Sequence, residues 1–165
     1  MSERSRPEIP SVLEEIKQSK PRTPSQEAYI ALVRTADDAK RFATGALEPE
    51  GVTLQQYNVL RILRGSGEIG LPTLAIAERM VERTPGVTRL IDRMERKGWV
   101  VRKRCTEDRR RVWCRITEKG LDLLARLDAP FTDIDSTLSD VLDRKEITEL
   151  LGYLGRLRAH FNEPR

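Results

Sequence analysis

The segment from Thr84 to Val112 constrains the fold more than any other part of this sequence, because helix signals and hairpin signals follow one another in it. Thr84 is a favoured N-cap residue, Pro85 suits the first position of a helix, and Gly98 suits the position just after the last turn. Apolar residues recur between them at helical spacing, at Val87, Leu90, Ile91 and Met94. The segment therefore predicts a helix with one buried face, capped by Thr84 and ending before Gly98.

The other face of this predicted helix is basic. It carries Arg89, Arg93 and Arg96, together with Asp92. Thr84, Gly86 and Thr88 lie at its N-terminal end, where the helix dipole and free N–H groups favour phosphate. A solvated surface helix is the plainer interpretation. A helix with one apolar and one basic face also suits the major groove of DNA.

A hairpin is predicted directly after the helix. Val100 and Val101 begin one strand, and Val112, Cys114 and Ile116 alternate along the return strand. The residues from Thr106 to Arg111 must then form the exposed loop between the two strands.

Three consecutive arginines, Arg109, Arg110 and Arg111, lie at the tip of this predicted loop. They repel one another and have no evident role in folding, whereas a narrow, electronegative minor groove would give them a partner. Asp108 is placed to pair with Arg110 and hold it outward. The alternative is a disordered charged turn.

The element before this helix completes a helix-turn-helix pattern. Pro72 stands at a predicted helix start, Leu74, Ala77 and Met80 supply apolar positions, and Val81 to Arg83 form a short turn. A short helix, a tight turn and a second, basic helix are typical of a two-helix DNA-binding unit.

The charge is unevenly distributed along the 165 residues. Residues 79–115 hold 13 Lys and Arg against 5 Asp and Glu, a net charge of +8, while residues 1–78 and 116–165 carry −1 and −3. A basic excess confined to the helix and hairpin indicates a DNA-binding face. No stretch approaches a membrane span and no signal peptide is evident, so we expect a cytoplasmic protein with no membrane partner.

Amphipathic helices are predicted at both ends of the chain. Thr23 to Gln26 fit a capping box, Thr117 can cap a long helix with an expected kink or break at Pro130, and Asp143 to Glu146 form another capping box. The last helix carries one apolar stripe, and the first and the long helix carry similar ones. The stripe of the last helix consists of Ile147, Leu150, Leu154, Leu157 and Phe161. We expect these helices to form a homodimer, with an intramolecular bundle as the alternative.

The sequence offers little for catalysis, a cofactor or a metal. His160 is the single histidine, and there is no nucleophile motif, phosphate loop or zinc spacing, so we do not expect an enzyme. Cys105 and Cys114 flank the predicted loop. If the hairpin turns between Arg109 and Arg110, the two cysteines lie opposite each other, and a redox latch or two reduced packing residues are both consistent with that placement.

A set of motifs resembles the MarR family of regulators (multiple-antibiotic-resistance regulators). Thr53 to Leu63 and Leu74 to Arg79 are similar to the second and third helices of that family, and Thr84 to Gly98 are similar to its recognition helix. Asp108 to Arg111 resemble its wing, and Ile116 to Gly120 resemble the junction after it. The resemblance covers roughly residues 25–160 and is specific as a set rather than through any one motif.

The resemblance implies a mainly α winged helix-turn-helix with a two-stranded wing and with N- and C-terminal dimerisation helices. Its domains would be an arm with a short helix at 1–24, dimerisation helices at 25–46 and 117–162, and the DNA-binding domain at 47–116. A flexible tail is the alternative for the arm.

By the same resemblance the chain would be a dimeric regulator of transcription, usually a repressor, bound to double-stranded DNA at a palindrome. Thr84, Gly86, Thr88, Arg89 and Arg93 would contact DNA, with Arg110 in the minor groove and Arg109 and Arg111 on phosphates. A small aromatic effector would release the DNA, with Tyr57 and Arg61 as polar contacts; the alternative is that Tyr57 is a core residue and Arg61 a solvated charge. The alternatives are an interaction module without specific DNA binding and a redox-responsive regulator that uses Cys105 and Cys114.

Overall fold

The computed structural model of the chain describes residues 11–17, 23–83, 85–104 and 112–163. The chain is mainly helical, with a small antiparallel sheet. The helices are α1 (Val12–Glu15), α2 (Pro24–Leu47), α3 (Leu54–Gly65), α4 (Thr73–Arg79), α5 (Val87–Arg96), α6 (Glu118–Val141) and α7 (Arg144–Phe161), and the strands are β1 (Leu71–Pro72), β2 (Val100–Arg104) and β3 (Val112–Ile116). Within the described ranges, no helix is long and apolar enough to cross a membrane.

The chain divides into two compact units, residues 1–42 and 43–165. In the first unit, Ser11 and Glu14 form a capping box at the start of α1, and Leu13 is buried. The Ser11 hydroxyl also donates a hydrogen bond of 3.0 Å to Glu27 Oε1, which joins α1 to α2. The arm was expected to carry a helix of two turns, and the helix found there has only one.

The second unit has one hydrophobic core, built from α3, α4, α5, the sheet and the first half of α6. Its largest fully buried side chains are Leu47, Leu60, Leu63, Ile76, Ile91, Met94, Leu124 and Leu127. In α4 the buried residue is Ile76, whereas Leu74 is 71% exposed. The prediction that Leu74 supplies an apolar core position is therefore wrong. Residues 74 and 76 point to opposite sides of a helix, and Ile76 is the one that α4 turns toward the core.

The sheet has three strands in the order β1–β3–β2, all antiparallel. The hairpin of β2 and β3 confirms the predicted two-stranded wing, but the sequence analysis missed β1. Leu71 of β1 lies opposite Cys114, and Pro72 lies opposite Trp113. A two-residue strand shows no alternation of its own, and its proline, which lacks an N–H donor, is suited to the edge of a sheet.

The junction after α5 is fixed by backbone bonds. Gly98 has a φ of 76° and its N–H donates to the Glu95 carbonyl, while the N–H of Trp99 donates to the Met94 carbonyl. This is a Schellman ending, which confirms Gly98 as the residue just beyond the helix. Thr117 then caps α6 by accepting a bond from the Gly120 N–H, and its hydroxyl donates to the Gly98 carbonyl at 2.7 Å. The C-terminal end of α5 and the N-terminal end of α6 are thereby held together.

Helix α6 runs without interruption through Pro130, so the break expected there is absent. Asp143 and Glu146 form the predicted capping box of α7. No residue of α7 is buried, although the helix is rich in leucine, and Leu151, Tyr153 and Phe161 are among its exposed apolar residues. Among the described residues of the second unit, α7 therefore presents an apolar helix surface that stays exposed.

Candidate nucleic-acid interface

Helix α5 begins at Val87, with Gly86 as its N-cap residue in the left-handed region (φ 82°, ψ 31°). The prediction that Thr84 caps the helix and Pro85 opens it is wrong, because Pro85 and Gly86 form a turn and Gly86 takes the N-cap position before Val87. Thr84 itself lies outside the described residues. The local signals of threonine and proline were overridden by the left-handed geometry that only glycine adopts at low cost. The free N–H groups of the first turn of α5 remain a favourable place for phosphate.

The two faces of α5 divide as predicted. Val87, Leu90, Ile91 and Met94 are buried, while Gly86, Thr88, Arg89, Arg93 and Arg96 are exposed. Within the described parts of the chain, Arg89 and Arg93 have no hydrogen-bond or ion-pair partner. Arg96 donates to the Asp92 carbonyl at 3.4 Å. The whole guanidinium groups of Arg89 and Arg93 are therefore available to an anionic ligand, whereas Arg96 keeps only its terminal nitrogens for one.

Lys97, one residue beyond α5, is held by the fold. Its ammonium group lies 4.2 Å from the centroid of the Trp99 ring and donates to the Gly51 carbonyl at 3.3 Å. Its positive charge belongs to a cation–π contact at the base of the helix.

The turn between α4 and α5 is anchored to α3. The N–H of Val81 donates to Asn58 Oδ1 at 2.9 Å, and Gln55 Nε2 donates to Glu82 Oε2 at 3.0 Å. Val81 itself is 87% exposed. The turn is thus fixed by polar contacts from α3 rather than by burial of its apolar residue.

Arg102 of β2 joins the wing strand to α5. Its backbone N–H donates to Glu95 Oε1 at 2.9 Å, and its Nη1 donates to Glu95 Oε2 at 3.2 Å and to Asp92 Oδ1. Its Nη2 donates to the Thr88 carbonyl at 3.1 Å. One arginine side chain therefore contacts three residues on successive turns of the helix.

Arg102 faces inward in the sheet, opposite the buried Cys114, and its side chain is only 22% exposed. Partial burial alone would lower the pKa of Arg102, but the hydrogen bond and charge of Asp92, together with the charge of Glu95, hold that pKa above its ordinary value. The guanidinium is thus a charged group whose partners lie within the protein.

Asp108, Arg109, Arg110, Arg111 and Cys105 all lie outside the described residues. The strands on either side nevertheless fix the register of the hairpin, in which Cys114 lies opposite Arg102. The predicted opposition of Cys105 and Cys114 is therefore wrong, since a turn between Arg109 and Arg110 would give a different register. Cys114 is a buried free thiol within 3.7 Å of the Thr73 hydroxyl.

Tyr57 and Arg61, proposed as effector contacts, lie one turn apart on α3. Tyr57 is only 6% exposed and its ring stacks on that of Phe131. Arg61 is exposed and its Nη1 donates to the Tyr57 hydroxyl at 2.7 Å. Tyr57 is thus a core residue whose hydroxyl is bonded to an exposed guanidinium.

The predicted apolar stripe of α7 lies on one face of that helix. Leu150, Leu157 and Phe161 are exposed, while Ile147 and Leu154 are half-buried. The exposed members stay available to a partner.

Gln55, Asn58 and Arg102 were not predicted as site residues, although Gln55 and Asn58 hold the turn between α4 and α5 and Arg102 holds α5 itself. One signal for Arg102 was present, because Val100 and Arg102 alternate onto the same face of β2 and Val100 is apolar. A charged residue at an inward strand position calls for a buried partner.

Comparison with known proteins finds a family of transcription regulators that covers this part of the chain. The family model described as "MarR family" matches residues 52–112. The chain is 30% identical over 118 residues to a transcriptional regulatory protein for the hcr operon of Thauera aromatica, covering 72% of this chain and 70% of that protein. It is 29% identical over 97 residues to the homoprotocatechuate degradative operon repressor of Escherichia coli, covering 59% of this chain and 64% of that protein.

Among solved structures, the chain is similar to S. aureus MepR in a complex with DNA, with a TM-score of 0.74 and 25% identity. The similarity covers 85% of this chain and 99% of the MepR chain. These relatives are regulators of transcription rather than enzymes.

Proposed function

Since the chain belongs to the MarR family of transcription regulators, we propose that it is a homodimeric repressor that binds a palindromic operator and is released by a small aromatic ligand. DNA binding and a role in the regulation of transcription come with the family. The palindrome, the repression and the effector are the proposal. A regulator with this role works where the DNA is, in the cytoplasm.

The observation that carries the proposal is the exposed face of α5, where Arg89 and Arg93 have no partner within the described residues while the opposite face is buried. An arginine with a free planar fork can make a bidentate contact to guanine in the major groove. Thr88 and Gly86 lie at the N-terminal end of α5, where the backbone N–H groups favour phosphate. We propose that Thr84, Gly86, Thr88, Arg89 and Arg93 contact DNA.

The wing residues complete the proposed contact. Arg110 would enter the minor groove, oriented by Asp108, while Arg109 and Arg111 would contact phosphates. The described strands β2 and β3 support this assignment, because they are the base from which such a loop extends.

Dimerisation is supported by the apolar surface of α7. A palindrome requires two recognition helices about 34–36 Å apart, which is one turn of DNA. Apolar side chains that stay exposed on a long helix favour packing against another helix. We propose that Ile147, Leu150, Leu154, Leu157 and Phe161 contribute to this dimer interface.

The aromatic effector is supported by the name of the E. coli relative, which represses an operon for degradation of an aromatic acid, and by the pair of Tyr57 and Arg61. The exposed guanidinium of Arg61 is suited to the carboxylate of an aromatic acid. Such a ligand releases DNA only if it binds the DNA-incompetent state more tightly, and tenfold release needs about 1.4 kcal/mol of difference.

The test is protection of the DNA upstream of the gene and its neighbours, followed by measurement of affinity for the protected duplex and for a shuffled duplex at several salt concentrations. We expect an inverted repeat and a strong preference for it. Arg110→Ala should lower the dependence of affinity on salt by roughly one unit of slope. Equal affinity for both duplexes would instead favour an interaction module without specific DNA binding.

The effector is tested separately by titrating the operator complex with phenols and aromatic acids. We expect at least one compound of this class to weaken binding below millimolar concentration, and Arg61→Ala to reduce that response. If none weakens binding, gating by aromatic compounds is excluded while operator recognition still stands.

A further inference from the structure

The basic residues near the proposed DNA face fall into two groups that composition cannot separate. Arg89 and Arg93 are exposed and without partners among the described residues, whereas Arg102 is half-buried and contacts Thr88, Asp92 and Glu95. Arg102 contributes to the positive charge of the segment, but its Nη1 and Nη2 groups already donate to acceptors within the protein. It is therefore unlike the other arginines in what it can do for DNA binding.

We infer that Arg102 is a positioning residue for operator recognition, which holds α5 and the β2–β3 hairpin in one fixed arrangement and does not itself contact DNA. This inference rests on the proposed operator binding and adds to it a residue that determines specificity. The two elements would enter different grooves, so their relative placement decides whether both sets of contacts form at once.

The geometry favours a rigid link. The Glu95 carboxylate accepts from both the backbone N–H and the guanidinium of Arg102, so side chain and strand are fixed to the same acceptor. Nη2 reaches the Thr88 carbonyl, within the first turn of α5, while Glu95 lies in its last turn. The helix is thus held along most of its length, and the planar fork of arginine is what allows three acceptors to be met at once.

The acidic partners make the prediction specific. Asp92 lies on α5, the helix proposed to enter the major groove, so loss of its negative charge should strengthen attraction to DNA if only electrostatics mattered. If Asp92 instead serves to hold Arg102, its loss weakens discrimination between operator and other DNA. Removal of the charge alone would tighten binding to the operator, whereas loss of the hold on Arg102 would weaken it.

The experiment measures affinities of full-length wild type, Asp92→Ala, Arg102→Met and Arg102→Lys for the operator and for a shuffled duplex, across several salt concentrations. We expect the ratio of the two affinities to fall at least tenfold in all three variants. Affinity for the shuffled duplex should follow the change in charge alone: slightly higher in Asp92→Ala, slightly lower in Arg102→Met and close to wild type in Arg102→Lys. Asp122→Ala, which removes an exposed acid from α6, is the matched control and should keep the wild-type ratio.

Arg102→Lys separates positioning from phosphate contact. Lysine keeps the charge and binds phosphate well, but it cannot bridge three acceptors with a planar fork. Restoration of full selectivity by lysine would overturn the inference, as would tighter operator binding with intact selectivity in Asp92→Ala.

Hydrogen exchange without DNA tests the same link independently of any operator. We expect faster exchange of the α5 amides in Arg102→Met and Asp92→Ala, with the amides of α6 protected as in wild type. A wild type without operator selectivity would refute the proposed function alone. Unchanged exchange of α5 in both variants would refute the positioning role alone.

Discussion

The ring of Tyr57 stacks on the ring of Phe131, with centroids 3.9 Å apart and planes inclined by 21°. This contact joins α3 to α6, and Arg64 adds an ion pair of 2.8 Å to Asp128 between the same two helices. Helix α6 is therefore tied to α3 by an aromatic pair and by a charged pair.

We expect Phe131→Ala to lower the free energy of unfolding by about 2–4 kcal/mol, because the mutation removes both apolar burial and the stacked ring. Tyr57→Phe is the matched control. It keeps the stacking and loses only the hydroxyl that accepts from Arg61, so its cost should be about 0.5–1.5 kcal/mol. Chemical denaturation of both variants checks the order, and a cost for Phe131→Ala no larger than that for Tyr57→Phe would contradict the prediction.

Gly120 is required by a close approach of the first turn of α6 to the strand end. A Cβ at this position would lie 2.4 Å from the Trp99 carbonyl oxygen and 2.8 Å from Ile116 Cγ1. We expect Gly120→Ala to destabilise the fold by about 1–3 kcal/mol or more. Gly152→Ala on α7, where nothing lies within 4 Å of the added Cβ, should instead stabilise it by about 0.5–1 kcal/mol. Thermal unfolding of the two variants compares them, and a common sign would contradict the prediction.

Arg89→Ala should relax the preference for one base pair in each half of the operator, at a cost of about 1–3 kcal/mol for the correct base. Arg96→Ala, which removes another exposed arginine of α5, should weaken binding evenly across sequences. Affinities for a set of single-base operator variants make the comparison. Unchanged selectivity in Arg89→Ala would remove Arg89 from the base-contacting residues.

Leu154→Asp or Leu157→Asp should give monomers with little operator binding, because each places a charge in the apolar stripe of α7. Thr148→Asp introduces the same charge on the far side of the helix and should leave the dimer intact. Sedimentation at micromolar concentration measures the outcome. A monomeric wild type that still binds the operator tightly would contradict the dimer.

Glu50 and Arg126 form an exposed ion pair of 3.0 Å, and the hydrogen bond from Arg126 holds the pKa of Glu50 below its ordinary value of 4.5. Since the pKa is lower in the folded state, the stabilising contribution of Glu50 is present above pH 4.5 and is lost as the pH falls through the folded pKa. Arg126→Ala should raise the titration midpoint of Glu50 toward the ordinary value, as followed by NMR. An unchanged midpoint would show that this ion pair does not form in solution.

Local signals in the sequence sufficed for much of the fold. The buried face of α5 followed from apolar spacing, and the end of that helix followed from Gly98. The cap at Asp143 followed from its capping box with Glu146, and the cap at Thr117 followed from the threonine itself. Each of these depends on contacts within one or two turns of the chain, which a sequence pattern records directly.

The tertiary structure decided the rest, because it depends on pairings between distant residues. The start of α5 moved to Val87 since Gly86 adopts a left-handed conformation, and β1 exists only through its pairing with β3. The hairpin register placed Arg102, rather than Cys105, opposite Cys114. That register turns Arg102 toward Asp92 and Glu95. An arginine that composition assigns to the DNA face therefore donates to acceptors of the protein itself, and no local sequence pattern carries that information.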